Sequence, residues 1–241
     1  MRRISCDICP NSSCLIKKNF VPEWSNFIEK EKYQAFYKKD YSVIGVGSPV
    51  VGLYIVQSGM IKEFILRPHN DIEIVRFANE GKVFGHTGFE NNLYSFGADA
   101  KIDSIVCFFV NEALNEMYVT NPKLLYDLML FYSNEHSEST YRLMSISQMN
   151  LREKIASVLH YLYQNFGLNE NNELLECFNR DDIASLACTT SEQVSRQLSD
   201  FQKENIIEKR TRRIAILKPA RLKEIIRDYS ISPKSVEAQK L

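Results

Sequence analysis

The spacing of apolar and polar positions changes several times along the chain, and each change predicts a different kind of element. The first twenty residues carry no helical or strand period. From Trp24 to Lys38 aromatic and charged residues mix, and Trp24, Phe27 and Ile28 fall at the i, i+3, i+4 spacing of one helix face. Between about Asp40 and Val110 the pattern turns to short β-type runs, among them Leu53 to Val56, Ile61 to Leu66, Ile72 to Phe77 and Ile102 to Val110. Turn signals rich in Gly, Pro and Asn separate them, at Gly45 to Pro49, Ser58-Gly59, Arg67 to Asp71, Asn79 to Gly81 and Glu90 to Asn92. Several short strands at such intervals predict a small antiparallel barrel or roll.

After Asn121-Pro122, a good helix start, neither Pro nor Gly occurs before Gly167. Leu124, Leu125, Leu128, Met129 and Tyr132 fall at helical spacing, and Tyr141, Met144, Ile146 and Met149 continue the stripe. A helix this long cannot cover its stripe inside a small domain, so a second copy of the helix is expected to do so. Asn150 is placed to cap a new helix with Glu153 as its capping-box partner, and Leu151, Ile155, Val158, Leu159 and Leu162 form its apolar face.

Arg180 to Ala187 reads as a short helix with Asp181 and Asp182 in its first turn, Cys188-Thr189-Thr190 as a tight connection, and Ser191 to Glu204 as a second helix. Ile183, Ala187, Val194 and Leu198 are the small or branched apolar residues that two crossed helices of a helix-turn-helix require. Glu192, Ser195 and Arg196 share the other face near the start of the second helix, where a recognition helix meets base edges. Arg196 can donate two bonds to guanine, Glu192 can accept from a cytosine amino group, and Ser195 can touch a neighbouring edge or a thymine methyl. Thr190, which ends the connection, and Ser191, which begins the helix, are further candidates for DNA contact. Two apolar runs, Ile206-Ile207 and Ile214 to Leu217, flank the basic turn Lys209 to Arg213, as in a β wing whose Arg212 and Arg213 would contact phosphates.

Charge sharpens this picture. The whole chain is formally neutral, with 30 basic and 30 acidic side chains among 241 residues, but from Arg196 to Arg227 ten cations face four anions. Apolar residues at 44% and charged residues at 25% exclude a disordered or fibrous chain. No apolar run reaches the roughly eighteen residues a membrane helix needs, and the basic N-terminus has no apolar segment behind it. The expected location is therefore the cytoplasm, with no membrane partner.

Six cysteines in such a compartment are thiols or ligands, not a disulfide framework. Cys6, Cys9 and Cys14 lie within nine residues of one another on the arm and can converge on one centre. Cys6-Asp7-Ile8-Cys9 could instead serve thiol redox chemistry, but that motif needs a βαβ setting and a helix N-terminus. His69, His86, His136 and His160 are scattered without ligand spacing, and no nucleophile–base pair or phosphate loop is present, so no catalysis is expected. Cys177 and Cys188 are read as packing residues.

These segments together resemble the Crp/Fnr superfamily of bacterial transcription regulators, and its anaerobic Fnr branch in particular. Ser191 to Arg196 is similar to the Fnr reading pattern Glu-x-x-Ser-Arg, Leu53 to Lys62 to the family's strand-turn-strand, and Ser95 to Ala100 with Ser104 to Cys107 to the segment that ends in the fourth cluster cysteine. The resemblance spans nearly the full length. It implies an α+β chain: a cysteine-bearing arm over residues 1–20, an antiparallel β-roll sensor of the cyclic-nucleotide-binding type over 21–120, a dimerisation helix over 121–149 and a winged helix-turn-helix over 150–241. It also implies a homodimer on a palindromic double-stranded site such as TTGAT-N4-ATCAA, with RNA polymerase as a further partner.

The resemblance makes Cys107 the fourth ligand beside Cys6, Cys9 and Cys14, and four thiolates suit a [4Fe–4S] cluster sensitive to oxygen or nitric oxide. A structural zinc on the same thiolates is the alternative. Two departures stand out. Cys188 occupies the turn where the family often has Gly, and the C-x2-C-x4-C spacing is one residue shorter than in Fnr. Cyclic AMP is not expected, because the stretch from Gly85 to Gly97 contains no arginine for its phosphate.

Overall fold

The computed structural model describes residues 4–68, 71–85, 92–175, 177–211 and 213–226. His69, His86, Arg212 and Arg227 lie outside these residues, as do 1–3 of the arm, 87–91 of the nucleotide-type stretch and 228–241 of the last domain. The chain divides into two compact units, Met1–Tyr132 and Ser133–Leu241.

In the first unit, two four-stranded antiparallel sheets form the roll. Strands β1 (Tyr33–Tyr37), β8 (Ser104–Val110), β3 (Gly52–Ser58) and β6 (Val83–Phe84) make one, and β2 (Ser42–Ile44), β7 (Gly97–Ala100), β4 (Met60–Leu66) and β5 (Ile72–Asn79) the other. Side chains alternate across each strand, so β3 and β8 send two sets of residues in opposite directions. Val56 and Val106 join Phe84, Ile44, Ile61 and Ala98 in the core between the sheets. Leu53, Ile55 and Phe109 turn the other way, onto the arm and helices. Burial on both faces explains why these strands read as continuous apolar runs. The β3–β4 turn needs its glycine: Gly59 has φ +94, and a Cβ there would lie 2.3 Å from Ser104 Oγ.

Helical segments cover the outer face of the first sheet. They are α1 (Leu15–Lys18), a 3-10 turn at Pro22–Trp24, α2 (Ser25–Glu31), α3 (Asn111–Thr120) and the start of α4 (Pro122–Gln148). Ile16, Trp24, Ile28, Leu114, Met117, Leu124 and Leu128 are all at most 3% exposed, each contributing about 1.5–3 kcal/mol if such a side chain is fully buried. Trp24 Nε1 donates to Thr120 Oγ1 at 2.9 Å, joining the 3-10 turn to the end of α3.

Three expectations change here. The helix face at Trp24 is real but ends at Glu31, and Tyr33–Tyr37 pairs with β8 as a strand. Residues 111–120, between the β-type region and the long helix, form a helix that the sequence pattern did not single out. The apolar stripe of α4 divides: Leu124 and Leu128 bury in the chain's own core, whereas Leu125 and Met129 stay 49% and 56% exposed. No helix among the described residues is long and apolar enough to cross a membrane.

The second unit contains α5 (Leu151–Phe166), α6 (Arg180–Leu186), α7 (Ser191–Lys203), the hairpin β9 (Ile207–Lys209) with β10 (Ile214–Ile216), and α8 (Pro219–Ile225). Asn150 and Glu153 form the capping box at the head of α5. Ile155, Leu159, Ile183, Val194, Phe201, Ile216 and Leu222 supply its buried apolar residues.

Candidate functional site

The helix pair α6–α7 is set by its ends. Asn179 and Asp182 make a reciprocal capping box before α6, and Thr190 caps α7 by accepting from the Gln193 amide. Between them the chain must reverse sharply, and Cys188 does this with φ +49. The turn therefore survives without glycine, at the cost of left-handed backbone for a residue with a Cβ. Cys188 is exposed at this turn between the two helices, so it does not take the packing role expected of it. Cys177 is half-buried.

Val194, Leu198 and Phe201 form the buried face of α7, with Gln197 beside them. Glu192 and Arg196 are exposed on its opposite side and Ser195 is half-buried. Ser195 Oγ donates to the Ser191 carbonyl at 2.8 Å and accepts from Arg180 Nη1 at 3.3 Å. Ser191 donates to the Asp181 carboxylate. Hydrogen bonding from Thr190 holds the Glu192 carboxyl below the usual range, so it is an acceptor at neutral pH. Arg180 and the exposed Gln193 stand at this end of the pair and were not singled out from sequence; their separation from the α7 pattern hid the first, and its neutral side chain the second.

The wing is tied down from behind. Glu173, with a side chain 6% exposed, pairs with Arg210 at 2.6 Å and Arg213 at 2.9 Å, and Asn169 donates to it at 2.8 Å. Bonds from Asn169, Arg210 and Arg213 lower its carboxyl to about 2. Arg213, expected at a phosphate, thus has its Nη1 engaged inside the protein because a buried carboxylate needs a cation.

A second cluster of functional groups lies in the first unit. Cys6, Cys9, Cys14 and Cys107 line one cavity, partly open to solvent, together with Lys32 and Gln57. The register places Cys107 opposite Ile55 and Gln34, and strand alternation turns it with Phe109 toward the arm. The arm is pinned independently of its thiols: Asn11 Nδ2 donates to the carbonyls of Val56 and Gln57 at 3.2 and 3.1 Å, and Ser13 Oγ donates to the Glu80 carbonyl at 3.2 Å. Ile16 seals the arm into the core with 0% exposure.

Burial pushes the Cys6 and Cys14 thiols up, and Cys107 to about 12. Each is raised further by the other thiols, which records their closeness. Left alone these groups stay neutral, so thiolates here require positive charge nearby. Two lysines supply some: Lys32 Nζ lies 3.6 Å from Cys6 Sγ, and Lys17 donates to the Cys9 carbonyl. Among the described residues no three His, Cys, Asp or Glu side chains are grouped to hold a single metal ion. Asn11, Gln57 and the lysines escaped sequence reading because nothing local marks them.

Comparison with known proteins adds identity to this geometry. Residues 153–225 match the family described as a Crp-like helix-turn-helix domain, and residues 34–121 match the cyclic nucleotide-binding domain family. The chain is 28% identical over 220 residues to Electron transport regulator A of Shewanella oneidensis, covering 89% of this chain and 87% of that one. It is 27% identical to the Fumarate and nitrate reduction regulatory protein of Vibrio cholerae, over 92% and 90% of the two chains. Its fold is similar to FixK2 from Bradyrhizobium japonicum, with TM-score 0.74, 21% identity and coverage of 83% and 99%. It is similar also to TTHA1359 from Thermus thermophilus, with TM-score 0.69, 20% identity and coverage of 80% and 97%.

Proposed function

Since the chain belongs to the Crp/Fnr superfamily of DNA-binding transcription regulators, we propose that its hold on DNA is governed by a [4Fe–4S] cluster on Cys6, Cys9, Cys14 and Cys107. The observation that carries this reading is the shared cavity: three thiols of the arm and one of β8 line it together. Four soft sulfur donors suit iron–sulfur ligation. When bound, such a cluster supplies redox chemistry and iron–thiolate bonds open to attack by oxygen or nitric oxide.

The chain's own residues do the rest. The four cysteines would join the arm to β8, adding to the hold of Asn11 and Ser13. On α4, Leu125, Met129, Tyr132, Leu143 and Ile146 recur at coiled-coil intervals, and Leu143 is 72% exposed. A second copy of the helix would cover them, making a homodimer. In each copy Glu192, Ser195 and Arg196 would read base edges, with Thr190 and Ser191 near the backbone, so that paired helices engage a site such as TTGAT-N4-ATCAA. RNA polymerase is the partner through which a DNA-bound dimer would act.

The test is anaerobic purification with iron, sulfide and zinc analysis, followed by binding to TTGAT-N4-ATCAA before and after exposure to air. Iron and sulfide in equal amounts, with binding lost in air, is expected. Protein that binds the site tightly without iron, or that carries zinc alone, would overturn the cluster.

A further inference from the structure

Lys32 links α2 to β1 and is 3% exposed, an unusual burial for a lysine. It lines the cysteine cavity, donates to the Ile4 carbonyl and stands 3.6 Å from Cys6 Sγ. Among the described residues no carboxylate forms an ion pair with it. The surface residue Asp7 feels its charge, though as the least of the influences on that carboxyl. Burying an ammonium without a counter-ion is costly, and an apolar side chain of similar size would avoid the cost. Among the residues that line the cavity with it, those that can turn anionic are the four thiols, and an iron–sulfur centre held by four thiolates is a net anion.

The geometry points to Lys32 as the built-in counter-cation of the cysteine site, compensating the charge of a thiolate-held cluster and making it harder to oxidise. This rests on the cluster reading given above and adds to it a residue that tunes the site without ligating. Net charge and hydrogen bonding at the sulfurs are among the factors that set the potential of such a centre. A cation favours its more reduced, more negative form.

Two effects of opposite sign follow. With the cluster in place, Lys32→Met removes the compensating charge, and oxidation is favoured about tenfold more, ~59 mV for a one-electron couple. In the cluster-free chain the same change removes an uncompensated buried charge, and the melting temperature rises. If Lys32 merely tied down the Ile4 carbonyl, Lys32→Met would lower stability in both states. Lys32→Gln keeps a hydrogen-bond donor without the charge, and Lys32→Arg keeps the charge.

The experiment uses the full chain, purified anaerobically as wild type and as these three variants. Iron content, reduction potential and the rate of bleaching by dioxygen are measured, then thermal melting after chelator stripping. Met and Gln should bleach faster at a lower potential, Arg should stay near wild type, and stripped Met should melt higher than stripped wild type. Wild type without iron would overturn the cluster reading and this inference with it. Iron-loaded wild type with Gln indistinguishable from it, or stripped Met melting lower, would overturn the role of Lys32 alone.

Discussion

Arg213 reaches back to Glu173 across 40 residues of chain, its Nη1 2.9 Å from the carboxylate. With Arg210 on the other oxygen, this pairing links the wing to the loop before α6. Glu173→Gln should therefore lower the melting temperature of the DNA-binding unit at neutral pH. The folded carboxyl titrates at about 2 against an ordinary 4.5. Its stabilisation is complete above the ordinary value and is lost as pH falls through the folded one. The gap between wild type and variant should accordingly shrink as melts are recorded from pH 5 down toward 2; a gap that widens in acid would contradict the pairing.

Cys188 holds a left-handed conformation with φ +49. Glycine adopts that conformation without the Cβ penalty, so Cys188→Gly should stabilise the chain by up to about 1 kcal/mol. Urea unfolding curves would show the midpoint rise while affinity for DNA is kept.

Arg196 is exposed on α7 one turn from Glu192. Replacing it by Ala should cost about 1–3 kcal/mol on the specific site and relax preference at one guanine. Binding measured across single-base variants of the site separates this from phosphate contact, which would weaken all sequences alike.

Met129 is 56% exposed on the outward side of α4, with its neighbour in the repeat, Leu125, at 49%. Met129→Glu puts like charges face to face in a paired helix, and sedimentation should show monomers at concentrations where wild type is dimeric. DNA affinity should fall with it, because two linked half-site contacts become one.

Cys107 is half-buried on β8 beside Gln57, with Sγ 3.7 Å from Oε1. Cys107→Ser removes one sulfur with little change in volume. Iron should be lost from the anaerobic protein while its circular dichroism is unchanged; full iron retention would mean another residue serves as fourth ligand.

Much of the architecture was legible because its causes are local. The capping box of Asn150 and Glu153 spans four residues, and the amphipathic spacing of α7 lies within thirteen. What was misread had local signals that point two ways. Tyr33–Tyr37 follows a helical stretch without punctuation, and its pairing with β8, some seventy residues on, made it a strand. The stripe on α4 shows one period to the sequence, whereas packing against Trp24 and Ile28 took Leu124 and Leu128 and left Leu125 and Met129 outside.

From the amino-acid order alone came the β-type region, the long helix, the helix-turn-helix with its outward Glu192 and Arg196, and three cysteines on one arm. Only the tertiary structure brought Cys107 to those three and set Lys32 among them. Strand alternation dictates that Cys107 and Phe109 share a face, but a period of two says nothing of what covers that face. Pairing of β3 with β8 and burial of Ile16 decided that, and both are contacts between residues far apart in the chain.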